Sequence, residues 1–388
     1  MTNWVEGVDK CLQTRYTMGM EQTTRHKKEY QIRRSLHVKR SGTDLMTPFD
    51  LALDMVDSIP DHLFNTRALV PGSGFGTFAL ALVHRGWDPC KITCVEIDPA
   101  YALVCRTRSK KLNTIHTNFL TWQPDMNFDV IIGNPPYNNR GKIKGQRQTS
   151  GTSLWLQFLK KIPDMMVEGG WCSLILPAAV GNTNSQGWRS LKNMRVESLS
   201  SDADRWFNVG TKIAQITFTK NPPTDTHLIN GDLVDRKLVP ILPASGNRKA
   251  VSVFSKISQF ESMEWRRDYY PEFVTKSEST QVLAMSFLDR SKSYILNSRE
   301  GIMGRDNLKK VNICWIETNK PEKLNRILTS KLFNFFAIET MFSGQVSVGT
   351  MRAMTLPKGW ENLQSDEDIY AAYGLTESEI EYIESGLK

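Results

Sequence analysis

Short apolar runs rich in β-branched residues alternate along this chain with stretches whose apolar positions recur at helical spacing. Leu51, Met55, Val56 and Ile59 keep that spacing after Thr47-Pro48, which predicts an amphipathic helix ended by Pro60. Residues 66–70 predict a strand, followed by the glycine-rich turn Pro71-Gly72-Ser73-Gly74-Phe75-Gly76 and a helix running toward Gly86. Further strands are predicted over 92–97, 114–116 and 129–133, then a helix over 153–166 and a buried strand over 171–177. Residues 196–199 and Ile213–Thr219 complete the sheet. Strands alternating with helices predict a doubly wound, mostly parallel α/β domain from about residue 40 to 220. Beyond it the runs shorten and turns multiply, which predicts a second domain of α+β character.

The strand over 129–133 leads into Asn134-Pro135-Pro136-Tyr137, whose chemistry sets it apart. Asn134 brings a side-chain carbonyl, while the two prolines withdraw two backbone donors and stiffen the loop so that its carbonyls point in fixed directions. Such a loop suits a planar amine like N6 of adenine, whose lone pair is delocalised into its ring. The Asn134 amide oxygen and the Pro135 carbonyl can accept both hydrogens and favour the nucleophilic geometry as charge develops. Tyr137 can stack on the ring. A rigid turn is the plain alternative. The chain holds its own comparison in Asn221-Pro222-Pro223-Thr224, which lacks the aromatic residue and reads as a turn only.

A cofactor site upstream decides between these two. Glycines at 72, 74 and 76 allow a tight turn and a close ligand approach at the carboxyl edge of the sheet. About 20 residues on, the second strand ends in Glu96-Ile97-Asp98-Pro99, and a carboxylate there can accept both hydroxyls of a ribose. The glycines do not keep the full dinucleotide spacing. Asn118-Phe119-Leu120, after the third strand, combines a polar side chain with an aromatic ring that can receive an adenine.

Composition narrows the picture. The 388 residues can bury a large core and divide into two domains. With no long uninterrupted apolar stretch and no charged-then-apolar leader, the expectation is a cytoplasmic protein with no membrane association. Six scattered cysteines without a Cys-x-x-Cys pair predict neither a disulfide framework nor a metal site. The net charge of +8 conceals an acidic end, because residues 361–388 hold eight acids against Lys388 alone. The remainder favours a polyanionic partner. Basic residues cluster in an amino-terminal arm, among them Arg25, Lys27, Lys28, Arg33 and Arg34. They recur in the loop that carries Arg140, Lys142, Lys144 and Arg147, expected to contact phosphate. Trp265-Arg266-Arg267 interleaves base with aromatic, as a groove-reading surface does. The acidic end itself reads as one or two capped helices packing on the body.

Taken in order, Thr47-Pro48, the glycine turn, the strand ending Glu96-Ile97-Asp98-Pro99, Asn118-Phe119-Leu120 and Asn134-Pro135-Pro136-Tyr137 resemble an S-adenosylmethionine-dependent DNA adenine-N6 methyltransferase. The arrangement is the gamma order of TaqI-like modification enzymes of restriction-modification systems, and the resemblance covers roughly residues 43–220. It implies a Rossmann-like catalytic domain over 43–220 after a basic arm over 1–42. A target-recognition domain over 221–355, with Arg266 and Arg267 on DNA, and an acidic helical segment over 356–388 would follow. By the same resemblance Thr47 and Pro48 sit at the methionine end of the cofactor, with Gly72, Gly74 and Gly76 beneath it. Glu96 takes the ribose hydroxyls, Ile97 packs on the adenine, and Asn118 and Phe119 frame that ring. Asn134, Pro135, Pro136 and Tyr137 hold the target base, with Phe207 on the far wall of its pocket. The implied reaction is direct transfer of the sulfonium methyl to N6 of a base flipped from double-stranded DNA. The implied enzyme is a monomer with a separate restriction endonuclease.

Two departures stand out. The family places an acid where Val70 stands and an aspartate where Asn118 stands. The alternatives are an adenine-N6 methyltransferase acting on RNA, a glutamine methyltransferase acting on protein, and a catalytically silent DNA-binding protein on the same fold.

Overall fold

The buried apolar runs assemble into one large sheet. The computed structural model describes residues 46–137, 153–183, 185–207, 212–239, 241–243, 247–269, 282–286, 294–296, 312–340 and 348–387. The basic arm and the loop carrying Arg140, Lys142, Lys144 and Arg147 lie outside them. Helix α1 (Phe49–Asp57) is followed by β1 (Ala68–Pro71), α2 (Thr77–Arg85), β2 (Ile92–Glu96), α3 (Pro99–Arg108), β3 (Asn113–His116) and β4 (Phe128–Gly133). Then come α4 (Leu154–Lys161), β5 (Met166–Pro177), α5 (Gln186–Ser190), β6 (Arg195–Ser200), β7 (Ile213–Thr219), β8 (Thr226–Ile229) and β9 (Asp232–Asp235).

These strands lie in the order β3-β2-β1-β4-β5-β7-β6-β8-β9, parallel from β3 to β5 and with β7 antiparallel to both of its neighbours. This is a Rossmann-like methyltransferase fold. β1 lies between β2 and β4, in register through Ala68 with Ile92 on one side and Val130 on the other. Every residue of β1 and β2 is buried, as expected for strands covered on both faces. Because the order reverses at β1, the loops leaving β1 and β4 emerge side by side at the carboxyl edge, where such sheets bind ligands.

Local chemistry sets the element ends. Gly86 closes α2 at φ 105°, donating to the Leu82 and Val83 carbonyls. Asp98 caps α3 by accepting from the amides of Ala100 and Tyr101, with Pro99 in the first turn. The helix predicted over 153–166 ends earlier, at Lys161. Pro163 stops it, a single 3-10 turn follows, and the strand begins at Met166. The sheet also continues past residue 220, since β8 pairs with β6 and carries β9 through the Asn230-Gly231 turn.

Past the short β10 (Glu261–Ser262), the carboxyl region contains a four-stranded antiparallel sheet, ordered β11 (Arg266–Tyr269), β14 (Asn312–Glu317), β12 (Val282–Ser286) and β13 (Tyr294–Leu296). Helices α6 (Arg248–Ile257), α7 (Pro321–Leu328), α8 (Lys331–Glu339), α9 (Val348–Ala353), α10 (Asp366–Ala372) and α11 (Glu377–Gly386) accompany it. One apolar core runs without a break from Leu69, Ile131 and Leu174 to Phe254, Phe333, Tyr370 and Ile383. The acidic end is therefore packed on the body, through two helices that each begin with a capping box. Among the described residues no helix is long and apolar enough to cross a membrane.

Glu379 fastens that end. Its carboxylate accepts from the Lys256 ammonium at 2.7 Å, the Ser252 hydroxyl at 2.7 Å and the Thr376 amide at 2.7 Å. Burial pushes the carboxyl upward, but these three donors and the Thr376 hydroxyl, at 3.0 Å, together bring it down to about 2. Since the folded value is depressed, the stabilisation is present above the ordinary carboxylate range and is lost as pH falls toward 2. Glu379→Gln leaves the Lys256 charge half-buried without its counter-ion. It is expected to cost about 3 kcal/mol in urea unfolding at pH 7, with the difference from wild type shrinking as the pH is lowered.

Candidate active site

The glycine turn and the Asn-Pro-Pro loop press against each other. Gly72, Gly74 and Gly76 adopt φ of 63°, 54° and 79°, a region that side chains other than glycine rarely tolerate. A Cβ on Gly72 would come within 3.3 Å of Pro136 Cδ, and one on Gly76 within 2.8 Å of Cys105 Sγ. A Cβ on Gly74 would meet nothing within 4 Å. Residues 72 and 76 thus let the β4 loop and α3 close in, while residue 74 leaves space for a ligand.

That space is a cavity of about 500 Å³, within the range of small-molecule sites. Gly72, Gly74 and Glu96 line it together with Ile97, Asn118 and Phe119. Asn134, Pro135, Pro136 and Tyr137 share its wall. Residues from four sequence-distant turns therefore converge as expected.

Glu96 is 4% exposed and tightly held. Oε2 accepts from the Gly74 amide at 2.7 Å, and Oε1 accepts from the Asp98 amide at 2.9 Å. These two backbone bonds aim the carboxylate. Beside it Ile97 is 53% exposed, an apolar side chain at a cavity that a planar ring would cover. Phe119 stacks on Phe158 of α4, with centroids 4.6 Å apart. The turn that carries Phe119 is drawn onto α4 by Lys161, whose Nζ donates to the carbonyls of Phe119 at 2.9 Å, Leu120 at 3.0 Å and Trp122. Burial lowers the Lys161 pKa. Asn118 turns its amide oxygen back to accept from the Leu120 amide at 3.0 Å.

Several expected residues stand behind the wall rather than on it. Thr47 is buried and accepts from Asn134 Nδ2 at 3.2 Å, while the neighbouring Met46 lines the cavity. Pro48 caps α1, and Gly76 packs on Cys105. Phe207 is half-buried against the core cluster that includes Tyr137, and it is not among the residues lining the cavity. Val70, where the family has an acid, is 1% exposed among apolar residues of that cluster. Arg266 is exposed on β11, far along the chain from the cavity residues; the side chain of Arg267 lies outside the described set. Leu154, Gln157 and Phe158 line the cavity and escaped the sequence reading. Their i, i+3, i+4 spacing on α4 is the signal that could have found them.

The Thr47 contact yields a test. Thr47→Val keeps the shape and removes the acceptor that orients the Asn134 amide. The expected result is a fall in kcat of up to about tenfold, the worth of one hydrogen bond, with donor affinity held. Single-turnover methyl transfer and donor titration check the two halves.

The fold is the Rossmann-like methyltransferase fold that the resemblance implied, with the cavity at the carboxyl edge of its sheet, where S-adenosylmethionine is the expected cofactor. Residues 102–202 match the model of the Eco57I restriction-modification methylase family. The chain is 30% identical over 40% of its length to the type II methyltransferase M.CvrRI of Paramecium bursaria Chlorella virus XZ-6E, covering 41% of that protein. It is 25% identical over 59% of its length to modification methylase CviBIII of Paramecium bursaria Chlorella virus NC1A, covering 62%. A tRNA1(Val) (adenine(37)-N6)-methyltransferase of Vibrio campbellii is 27% identical over 42% of this chain and 73% of its own. The chain thus spans less than two thirds of either viral enzyme.

The residues fit the cofactor. Gly74 leaves the backbone open to it, the Glu96 carboxylate suits the ribose hydroxyls, and Ile97 with Phe119 suits the purine faces.

Proposed function

We propose that the protein methylates N6 of a specific adenine in double-stranded DNA, with the base rotated out of the helix into the cavity beside Asn134. The observation that carries this reading is the seating of the Asn134-Pro135-Pro136 loop directly on the glycine turn, with Gly72 against Pro136 and Asn134 bound to Thr47. This supports a reading in which an amine-binding loop lies next to the place for a methyl donor. When bound, S-adenosylmethionine supplies an electrophilic methyl group for direct transfer.

The chain's own residues do the rest. The Asn134 amide oxygen and the Pro135 carbonyl accept the two hydrogens of the amine and favour charge developing on nitrogen. Tyr137 holds the ring. Glu96, Ile97, Asn118 and Phe119 bind the donor. Arg140, Lys142, Lys144 and Arg147 with Arg266 and Arg267 contact phosphate. No enzyme-bound covalent intermediate is required. A paired adenine does not reach such a cavity, so the base leaves the stack.

The second reading is an adenine-N6 methyltransferase acting on RNA, favoured by the tRNA-methylating relative, which the chain covers more completely than the viral enzymes. Transfer of labelled methyl to duplex DNA, RNA and protein, assayed side by side, separates the readings. Label in duplex DNA that is recovered as N6-methyladenine supports the first. Label confined to RNA or to protein overturns it.

A further inference from the structure

We infer that Lys161 is a positioning residue of the donor site: its ammonium holds the turn after β3 in the shape that presents Phe119 and Leu120 to the cavity. The inference rests on the reading of this cavity as the S-adenosylmethionine site. Phe119 and Leu120 line the cavity, whereas Lys161 stands behind them and acts through them.

An account of the turn's backbone groups shows why it needs that ammonium. The amides are served from within. The Asn118 carbonyl accepts from the Thr121 amide at 3.1 Å and the Trp122 amide at 2.9 Å, and the Asn118 side-chain oxygen accepts from the Leu120 amide at 3.0 Å. The Thr117 amide donates to the Glu96 carbonyl at 2.9 Å, which ties the turn to the strand that ends in the ribose-facing carboxylate. The carbonyls are served from outside. Those of Phe119, Leu120 and Trp122 converge on Lys161 Nζ, whose three protons match three acceptors. The same Nζ lies 5.4 Å from the centroid of the Phe119 ring, within cation–π reach, while Phe158 stacks on that ring. One helix end therefore fixes both the backbone and the ring of Phe119. Pro163 stops α4 just after Lys161, and a cation is favoured at a helix carboxyl end. Lys160 beside it is exposed and serves as a control of equal charge.

The test titrates the full chain calorimetrically with adenosine and with S-adenosylhomocysteine, which share the purine and differ at the amino-acid end. Lys161→Met is expected to weaken both probes by the same factor of about ten, with Lys160→Met within about twofold of wild type. Lys161→Arg keeps the charge and several donors, and should return both affinities to within about threefold of wild type. Wild-type affinity in Lys161→Met overturns the inference. So does a loss confined to S-adenosylhomocysteine, which would place the effect away from the purine. Failure of arginine to restore binding, or a Lys161→Met chain that no longer unfolds cooperatively in urea, would make Lys161 a prop of the fold alone and also overturns it. If wild type binds neither probe, the cofactor reading of the cavity fails and the inference with it, a result distinct from unchanged affinity.

Discussion

Asn134→Ala is expected to slow methyl transfer by about 10²- to 10³-fold, the loss seen when one preorganised polar group is removed from a developing charge, while affinity for S-adenosylhomocysteine stays within about twofold. The side chain is held at three points of the fold. β4 delivers Asn134 to the carboxyl edge beside β1, where Gly133 lies so close to Pro71 that an added Cβ would come within 3.3 Å of the Pro71 carbonyl oxygen. Pro135 and Pro136 fix the path beyond it. Thr47 accepts from Nδ2 and holds that end of the amide, and the carbonyl end is the acceptor that the proposed transfer uses. Alanine removes that acceptor without touching Gly74, Glu96 or Phe119, so the donor site survives. Single-turnover transfer of labelled methyl, with calorimetric titration of S-adenosylhomocysteine, measures both quantities. Transfer at the wild-type rate would remove Asn134 from the reaction. Loss of donor binding together with transfer would make its role structural.

The two Asn-Pro-Pro segments show what topology adds to a motif. In sequence they differ only by an aromatic residue. In the fold β4 is parallel to its neighbours and ends at the site, whereas β7 is antiparallel to β5. Asn221 therefore lies at the opposite edge, beside Gly169 and Gly170, where Lys220 exchanges backbone hydrogen bonds with both. The alternation of strands and helices was legible because the central strands β1 and β2 are fully buried and β4, β5 and β7 mostly so, and the positions of the glycine turn, Glu96 and Asn134 followed from it. The early end of α4 was legible too, in Pro163. The β8–β9 hairpin was missed although Asn230-Gly231 announces a tight turn between two short runs.

Side-chain direction was not legible. Thr47 turns to the Asn134 amide behind the cavity wall, Phe207 packs on the apolar cluster, and Asn118 spends its amide oxygen on its own turn. Such choices follow from which backbone donors a fold leaves to be satisfied, and a linear pattern does not carry them. Lys161 is the clearest case. In sequence it is one of two lysines ending a helix, Lys160 and Lys161, and only the fold shows that the second gathers three carbonyls under the Phe119 ring.

The same logic makes Glu96→Gln a severe change despite its equal size. The two carboxylate oxygens accept from two different amides, Gly74 and Asp98. A carboxamide has one oxygen, so whichever way it is turned one amide faces an NH₂ group, donor against donor. A buried donor without an acceptor costs about 1–3 kcal/mol, and here the strain falls on the glycine turn itself. The acceptors for the ribose hydroxyls are halved in the same step. Donor affinity is therefore expected to fall by about 10- to 100-fold, roughly the two contributions together, and Glu96→Ala to fall at least as far. Glu96→Asp keeps both oxygens but shortens the reach by one methylene. It is expected to lose one of the two backbone bonds and to lie between wild type and Glu96→Gln. Calorimetric titration with S-adenosylhomocysteine ranks the three variants, with urea midpoints to separate loss of binding from loss of fold. Equal affinity for wild type and Glu96→Gln would mean that the carboxylate braces the glycine turn without touching the donor, and the ribose would then need another partner on the cavity wall.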